Sequence, residues 1–315
     1  MTGGDGSRAS VADSLRMDEV EQRRALPELT IVVPTVGRQL VRQALESIAA
    51  GSRWPSLVVV VDQSDGAVVG GVIERLRGAG MSIELVPAPR RGPGAARNRG
   101  IERVTTRWVV MTDDDQLVSP DWLLHMHRRL EAHGRAVITG MVAPGAPGVP
   151  SSTSDEEPAI HTRPMLHRDP LFSGNMGVSM DVVHEIGLFD ERASLDGAED
   201  NDWGYRALRH GVPIVYAPEV QVTHLAWRDA AGIDATYRRY ARAQGAFYGK
   251  HLRHGDAFIA LRATRDLLRG PWLFLRAMLA RDPDLAMLAR AELTGIVPGI
   301  VLGLRTPSPA HVRGR

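Results

Sequence analysis

Three adjacent carboxylates, Asp113, Asp114 and Asp115, follow the short apolar run at residues 108–111. Adjacent carboxylates repel one another, so such a cluster is costly unless positive groups lie nearby. A hard divalent cation removes that repulsion and can bridge carboxylates to phosphate oxygens. The pattern therefore favours a metal site over the simpler interpretation, a solvated acidic turn.

A second group of acids lies at the predicted start of a helix, within residues 197–205. The helix dipole favours acids there by about 0.3–1 kcal/mol, which explains one or two of them, but Glu199, Asp200 and Asp202 are three. A carboxylate held beside a substrate hydroxyl is what a general base requires. His224 follows a β-like stretch and is a candidate nitrogen ligand for the same metal, although a lone histidine is more often structural.

The segments that carry these residues alternate between two types. Apolar, β-branched runs typical of buried strands are separated by segments with helical spacing. The strands are predicted at residues 29–33, 57–61, 82–86, 108–111 and 136–141, and the helices at 38–50, 68–76, 92–104 and from Ser119 onward. This alternation predicts an α/β domain with a mostly parallel central sheet and flanking helices. Ligands bind beyond the carboxyl ends of such strands, where Asp62 and the three aspartates lie.

The chain divides into three predicted parts. Residues 1–26 form a polar, flexible tail without a secretory signal, and residues 27–227 form the catalytic domain. Residues 142–164 are rich in Gly, Pro and Ser and form a flexible loop within it. Residues 228–315 are helical and basic, with 15 Lys/Arg against 7 Asp/Glu. These helices either pack on the domain with solvated arginines or lie on an anionic membrane.

Composition excludes several classes of function. The 315 residues are 43% hydrophobic and 24% charged, with a net charge of +1, so no strong overall field attracts nucleic acid. The absence of cysteine excludes disulfides, cysteine nucleophiles and cysteine-bound metals. The apolar run at residues 293–304 contains Pro298 and is predicted to be too short to span a bilayer. We expect a cytoplasmic protein, with peripheral contact at the inner face of the membrane as an extension of that expectation.

Six segments resemble glycosyltransferase family 2, whose members have the GT-A fold, a Rossmann-like α/β architecture. In chain order they are residues 31–38 (IVVPTVGR), 59–66 (VVVDQSDG), 92–100 (GPGAARNRG), 112–115 (TDDD), 173–178 with 187–191 (SGNMGV and GLFDE), and 199–200 (ED). Each motif is weak alone, but six in the same order, together covering about residues 29–227, are highly specific.

The resemblance implies transfer of a sugar from a nucleoside-diphosphate sugar to the hydroxyl of a saccharide, a lipid-linked or a small-molecule acceptor. It implies inversion at the anomeric carbon and a divalent cofactor, Mn²⁺ or Mg²⁺. Asp200 would be the catalytic base with Glu199 beside it, and Asp115, Asp113 and His224 would hold the metal. The implied nucleotide-sugar site comprises Pro34, Thr35, Arg38, Asp62, Gln63, Arg91, Arg97, Asp113, Asp114, Gly174 and Asn175.

The sequence departs from the family at Gln63, where many members have a second acid that contacts the nucleobase. Glutamine offers both a donor and an acceptor, so uracil, thymine and guanine all stay open. Two other functions also stay open. One is a catalytically inactive protein that binds sugars or partners, which the intact acids argue against. The other is a sugar nucleotidyltransferase, which would normally have a Gly-rich basic loop where residues 33–38 have one glycine.

Overall fold

The computed structural model describes residues 25–146, 155–225 and 230–306. Most of the tail predicted at residues 1–26, and the centre of the loop predicted at 142–164, lie outside these ranges. The described part of that loop is shorter than predicted, because strands extend to Pro144 on one side and begin at Ala159 on the other.

One mixed sheet forms the centre of the molecule. Its strands are β1 (Ala25–Thr35), β2 (Trp54–Asp62), β3 (Ile83–Pro87), β4 (Trp108–Thr112), β5 (Gln116–Val118), β6 (Val137–Pro144), β7 (Ala159–His161), β8 (Asn175–Ser179) and β9 (Ile214–His224). Their order is β3-β2-β1-β4-β8-β6-β9-β5, and β7 also pairs with β9. The buried apolar runs of β1, β2 and β4 agree with their positions, since each of these strands lies between two other strands.

The predicted α/β class is confirmed, but the parallel part of the sheet is smaller than predicted. Strands β1 to β4 pair in parallel, as do β6 and β9. Strand β8, to which the sequence analysis assigned no element, runs antiparallel between β4 and β6. Its residues, Asn175–Ser179, include a glycine and a serine, so the strand lacks the continuous apolar pattern of its neighbours.

Six helices surround the sheet: α1 (Leu40–Ala49), α2 (Val69–Gly78), α3 (Pro93–Ile101), α4 (Trp122–His133), α5 (Met180–Ile186) and α6 (Glu199–Arg209). Two apolar clusters, one on each face of the sheet, hold them in place. Helix α3 begins at Pro93, as predicted, after Gly92 at a φ of 95°. Helix α4 begins three residues later than Ser119, because a turn in which Trp122 N bonds Ser119 O precedes it.

Three long helices follow in the described part of the chain: α7 (Ala230–Leu252), α8 (Ala257–Ala280) and α9 (Pro283–Arg305). Pro271 lies inside α8 and Pro298 lies inside α9, so neither proline ends its helix. The apolar run at 293–304 is thus the second half of a 23-residue helix. Among the described helices, α9 alone is long and apolar enough to cross a membrane, by length and composition only.

The helical region shares a core with the sheet domain. A third apolar cluster joins Leu195, Ala198 and Tyr205 to side chains of α7, α8 and α9. Beside it, the buried ammonium of Lys250 on α7 lies 2.6 Å from Asp202 on α6 and 2.9 Å from Asp190. Burial alone would raise the pKa of Asp202, but Lys250 and Arg206 hold it well below its usual range. Helix α6 is therefore fixed from the side of the C-terminal helices.

Candidate active site

A cavity of about 780 Å³ lies at the carboxyl ends of β1, β2 and β4. It brings together eleven of the residues predicted from the sequence: Pro34, Thr35, Arg38, Gln63, Arg91, Arg97, Asp113, Asp114, Asp115, Glu199 and Asp200. We call this cavity the main cleft. Asp62, Gly174, Asn175 and His224 are not among the described residues that line it. The two acidic segments, far apart in the chain, thus face one space.

The three aspartates after β4 have different surroundings. Asp113 is the most exposed of the three and accepts a hydrogen bond of 2.8 Å from the guanidinium of Arg97. Asp114 and Asp115 are both buried. Adjacent residues of a turn point in different directions, so the three identical acids make three different sets of contacts.

Asp114 ties the acidic turn to the end of β1. The Thr35 hydroxyl donates to one of its oxygens at 2.6 Å, and Arg38 donates to the other at 2.6 Å. Burial raises the pKa of Asp114, and Arg38 and Thr35 oppose that rise. Both oxygens thus have protein donors, and this side chain holds the loop that follows β1.

Arg97 joins the two acidic segments. This buried side chain donates to Asp113 at 2.8 Å and to Glu199 at 2.9 Å. Burial opposes its charge, but the carboxylates of Asp113 and Glu199 outweigh that effect and raise the pKa of Arg97. The sequence implied a phosphate or nucleotide contact for this arginine, whereas the structure surrounds it with carboxylates.

Glu199 and Asp200 open helix α6 but differ in their partners. One oxygen of Glu199 accepts from Arg97 and the other accepts from the backbone N–H of Gly197 at 2.7 Å. Among the described residues, Asp200 accepts from main-chain N–H groups and from the Ser173 hydroxyl, the latter at 3.5 Å. Asp200 therefore keeps more capacity to accept a proton from a ligand in the cleft.

Burial has the largest effect on the pKa of Asp200, and the neighbouring negative charge of Glu199 acts in the same direction. Together they raise the pKa of Asp200 to about 7, although Arg97 opposes the rise. A general base is most effective when its pKa lies close to the working pH. The environment of Asp200 thus suits proton abstraction near neutral pH.

The predicted metal ligands converge only in part. The Nε2 atom of His224 lies 3.6 Å from Asp115 Oδ2, because β5 and β9 pair Gln116 with His224 and Leu225 N bonds Asp115 O. The buried Nδ1 of His224 has no hydrogen-bond partner among the described residues. Asp113 is instead held by Arg97, and the described chain contains no group of three His, Asp or Glu side chains arranged around one metal position. A carboxylate paired with an imidazole still fits a divalent cation in donor chemistry.

Asp62 is the last residue of β2, and Gln63 follows it. Asp62 accepts from the backbone N–H and the hydroxyl of Ser64, at 2.8 and 2.6 Å, and so fixes the turn after the strand. Gln63 lines the cleft, and its carbonyl oxygen accepts from Arg91 N at 2.8 Å. The amide NH₂ of Gln63 is left to face a ligand, since no described residue accepts a hydrogen bond from it.

Gly174 and Asn175 support the site from outside the cleft. The amide of Asn175 accepts from Trp122 Nε1 and donates to the carbonyls of Met141 and Val220. These bonds join α4, β6 and β9. Because the side-chain NH₂ of Asn175 already donates to two carbonyls, it has no hydrogen left to donate to a sugar. A Cβ at Gly174 would collide with the Asp113 carboxylate, so this glycine lets the acidic turn approach β8.

The cleft also contains residues that the sequence analysis did not assign to it. Arg239 and Tyr240 of α7 line its wall, together with Asp196, Phe172 and Ser173. Gly197, at a φ of +101°, allows the Tyr240 ring to pack directly on its backbone. The basic and aromatic residues of α7 were visible in the sequence, but only the packing of α7 on α6 shows that this pair faces the cleft.

A second cavity, of about 570 Å³, adjoins the main cleft. The two share Ala193, Asp196 and Arg239, and the second cavity extends to Arg242 of α7 and to Leu302 and Thr306 at the end of α9. Residues of the C-terminal helices therefore line both cavities.

This α/β fold, with an acidic turn and a separate carboxylate facing one cleft, is the GT-A architecture of glycosyltransferases. The chain belongs to the family described as "Glycosyltransferase like family 2", which it matches over residues 27–246. The predicted family and fold are confirmed. The match ends within α7, so the family pattern includes the part of that helix that lines the cleft.

Two curated relatives illustrate the similarity in sequence. The chain is 27% identical over 290 residues to the pre-mycofactocin glycosyltransferase of Mycobacterium tuberculosis, an alignment covering 85% of this chain and 56% of the relative. It is 32% identical over 114 residues to the succinoglycan biosynthesis protein ExoO of Rhizobium meliloti, covering 36% of this chain and 32% of the relative. The chain thus spans little more than half the length of the pre-mycofactocin glycosyltransferase and about a third of ExoO.

Two solved structures share the fold. The mannosyltransferase PcManGT from Pyrobaculum calidifontis, in complex with GDP-Man and Mn²⁺, has a TM-score of 0.60 at 18% identity, covering 94% of this chain and 96% of that one. Residues 1–349 of S. aureus TarS, in complex with UDP, have a TM-score of 0.53 at 17% identity, covering 84% and 90%. At such identities the likeness establishes the fold alone.

Proposed function

We propose that this protein transfers a sugar from a nucleoside-diphosphate sugar to an acceptor hydroxyl, with inversion and with Asp200 as the general base. The observation that carries the proposal is that the main cleft joins the acidic turn after β4 to Asp200 at the start of α6. Departure of a nucleoside diphosphate and activation of an alcohol are separate tasks, and they require separate groups on opposite sides of the anomeric carbon.

The donor would lie with its nucleoside beside Thr35 and Gln63, and its diphosphate near Arg91 and the acidic turn. Arg90 and Arg91 are exposed on the rim of the cleft, where they can pair with phosphate oxygens. The amide NH₂ of Gln63 would donate to a carbonyl of the base. The structural relatives bound to UDP and to GDP-Man support a donor of this class.

Asp115 and His224 would hold a divalent cation, Mn²⁺ or Mg²⁺, whose chemistry there is to stabilise the charge that develops on the leaving nucleoside diphosphate. Asp113, held by its hydrogen bond from Arg97, would face the donor. Arg38, 3.7 Å from Asp115, neutralises part of the acidic turn in the structure. The Mn²⁺ in the PcManGT complex supports a metal of this kind.

Asp200 would accept the proton of the acceptor hydroxyl as that oxygen attacks the anomeric carbon from the face opposite the diphosphate. Glu199, with both oxygens occupied by protein donors, would hold Arg97 and Gly197 in place beside it. General-base assistance of this type contributes about 10²–10⁴-fold. A single displacement inverts the configuration of the sugar.

The acceptor would enter along α7, where Arg239 and Tyr240 form the wall. An aromatic face beside a guanidinium suits a saccharide ring or the anionic linkage of a lipid-bound acceptor. We further propose a role in glycan biosynthesis at a cytoplasmic location, with peripheral contact between the C-terminal helices and the membrane.

Thermal unfolding with UDP-, GDP- and dTDP-sugars, each with and without Mn²⁺, tests the proposal. A donor present at about 100 times its Kd adds roughly 2.7 kcal/mol of stability. We expect Asp115→Ala and His224→Ala to abolish the Mn²⁺-dependent shift, whereas the exposed control His254→Ala keeps it. Slow Mn²⁺-dependent hydrolysis of the stabilising donor distinguishes an enzyme from an inactive sugar-binding protein. Absence of a shift with every donor would refute the proposed function.

A further inference from the structure

The exposed apolar side chains of the protein are concentrated on two helices. Twelve of the fourteen exposed large hydrophobic residues in the described chain belong to α8 and α9. Soluble monomers rarely expose contiguous apolar patches of more than a few hundred Å² unless the patch binds something. Such a concentration therefore needs a partner.

On each helix these residues repeat with the helical period. Leu268, Trp272, Leu275 and Leu279 recur at intervals of three and four on α8, opposite the buried residues Leu273 and Ala277. Val297 and Val301 continue the pattern on α9, which packs against α8 through the Arg269–Glu292 ion pair of 2.8 Å. We call these six residues the apolar face.

Apart from the exposed Asp282 and Asp284 at the turn between the two helices, the exposed charges around the apolar face are positive. Away from the turn at residues 281–284, the exposed charged residues of α8 and α9 are Arg276, Arg290 and Arg305. Arg276 lies 5.6 Å from the ring of Trp272. Acidic Glu292 is instead partly buried and paired with Arg269. A second copy of this chain would bring arginines against arginines, which disfavours a symmetric dimer, whereas anionic lipid headgroups complement them.

The opposite sides of both helices are anchored to the protein. Arg262 of α8 is buried and pairs with Asp169 near the main cleft. Gly295, Gly299 and Gly303 of α9 pack so closely on α7 that a Cβ at any of them would collide with that helix. Because one side of each helix belongs to the fold, neither can be surrounded by lipid, and the hairpin is suited to lie in the plane of a membrane rather than to cross it.

We propose that the apolar face docks on the surface of an anionic phospholipid bilayer, with α8 and α9 in its plane. This deepens the peripheral contact of the proposed function by naming the surface, the lipid class and the orientation. It does not require sugar transfer, since docking can occur with no donor present. Leu302 and Thr306 of α9 also line the second cavity, so docking would bring the route to the main cleft close to the headgroups.

Sedimentation of the full-length protein with vesicles tests this. We expect stronger binding to phosphatidylcholine vesicles containing about 30 mol % phosphatidylglycerol than to phosphatidylcholine alone. The triple variant Leu268→Gln/Leu275→Gln/Leu279→Gln should bind on the order of 100-fold more weakly. The matched control is Ile160→Gln on the sheet domain, since Ile160 is 59% exposed and Leu275 57%. Equal binding by the triple variant and the wild type would overturn the proposal.

Two further measurements identify the occupant. Trp272 is exposed, whereas Trp108, Trp122 and Trp203 are buried and Trp54 is half-buried, so most of the blue shift of fluorescence on vesicle addition should be lost in Trp272→Phe. Light scattering without lipid should show a monomer. A dimer that the triple variant dissociates would show that a second copy covers the face, and would overturn the membrane assignment. If the protein hydrolyses the donor but does not bind vesicles, the docking surface is refuted and the proposed sugar transfer is not. If it binds vesicles but does not hydrolyse any donor, the proposed sugar transfer is refuted and the docking surface is not.

Discussion

The guanidinium of Arg97 donates a hydrogen bond of 2.9 Å to Glu199, and both side chains are buried. The same guanidinium bonds Asp113 at 2.8 Å. One cation thus fixes the distance between the acidic turn after β4 and the start of α6. The acidic turn and the start of α6, which have separate tasks in the proposed function, are therefore held in place before any ligand binds.

We predict that Arg97→Met lowers the free energy of unfolding by about 3–5 kcal/mol, because it leaves two carboxylates without their partner in a buried site. Urea unfolding measures the loss. The control is Arg99→Met on the same helix, where an exposed pair with Glu102 contributes at most about 1 kcal/mol. Similar losses for both variants would show that the bonds of Arg97 to Asp113 and Glu199 contribute no more stability than an exposed ion pair.

Asp200→Asn should reduce kcat by about 10²–10⁴-fold while donor affinity changes little, since asparagine cannot accept the hydroxyl proton. Because the pKa of Asp200 is raised to about 7, wild-type activity should rise with pH up to that region and then level off. Asp181→Asn is a suitable control, as Asp181 also lies in the first turn of a helix but is exposed. A wild-type profile that is flat between about pH 5 and 8 would remove Asp200 from the role of base.

Asp200 should also affect stability in a pH-dependent manner. Its pKa in the folded protein, about 7, lies above the ordinary value of 3.8, so the folded state binds the proton more tightly than the unfolded state. Stability is therefore lost as pH rises from about 4 to about 7. Asp200→Asn, which cannot ionise, should have a higher Tm than the wild type at pH 8 and an equal one near pH 4. A lower Tm at pH 8 would contradict this assignment.

A glycine pair tests the packing of α9 on α7. Gly299→Ala should destabilise the protein, because the new Cβ would collide with the Arg242 carbonyl. Gly71→Ala in α2 has no atom within 4 Å of the new Cβ and should stabilise by about 0.5–1 kcal/mol through helix propensity. Thermal unfolding of the two variants should therefore shift in opposite directions. Equal shifts would mean that α9 does not depend on this contact.

The sequence was sufficient to predict the parallel strands, because β1, β2 and β4 are continuous apolar runs that end at chemistry-bearing residues. It was insufficient for β8, whose pairing with β4 and β6 depends on long-range contacts and not on a local pattern. The two prolines inside the C-terminal helices show a related effect. Pro271 and Pro298 are unfavourable in a helix by propensity, and tertiary packing overrides that cost.

The candidate site shows the same division. The types and order of Asp113, Asp115, Asp200 and His224 could be recognised along the chain. The pairing of Arg97 with acids rather than phosphate could not, because it depends on where α3 and α6 meet. The three hydrogen-bonding contacts of Asn175 likewise require three elements that are remote in sequence.

Helix α7 supplies Arg239 and Tyr240 to the cleft and, along its length, receives the glycines of α9. The proposed acceptor wall and the proposed lipid-docking face therefore belong to one group of packed helices. Under both proposals, exchanging residues 230–306 between members of this family would transfer acceptor choice and membrane binding together, and neither property could diverge without altering the helix that joins them.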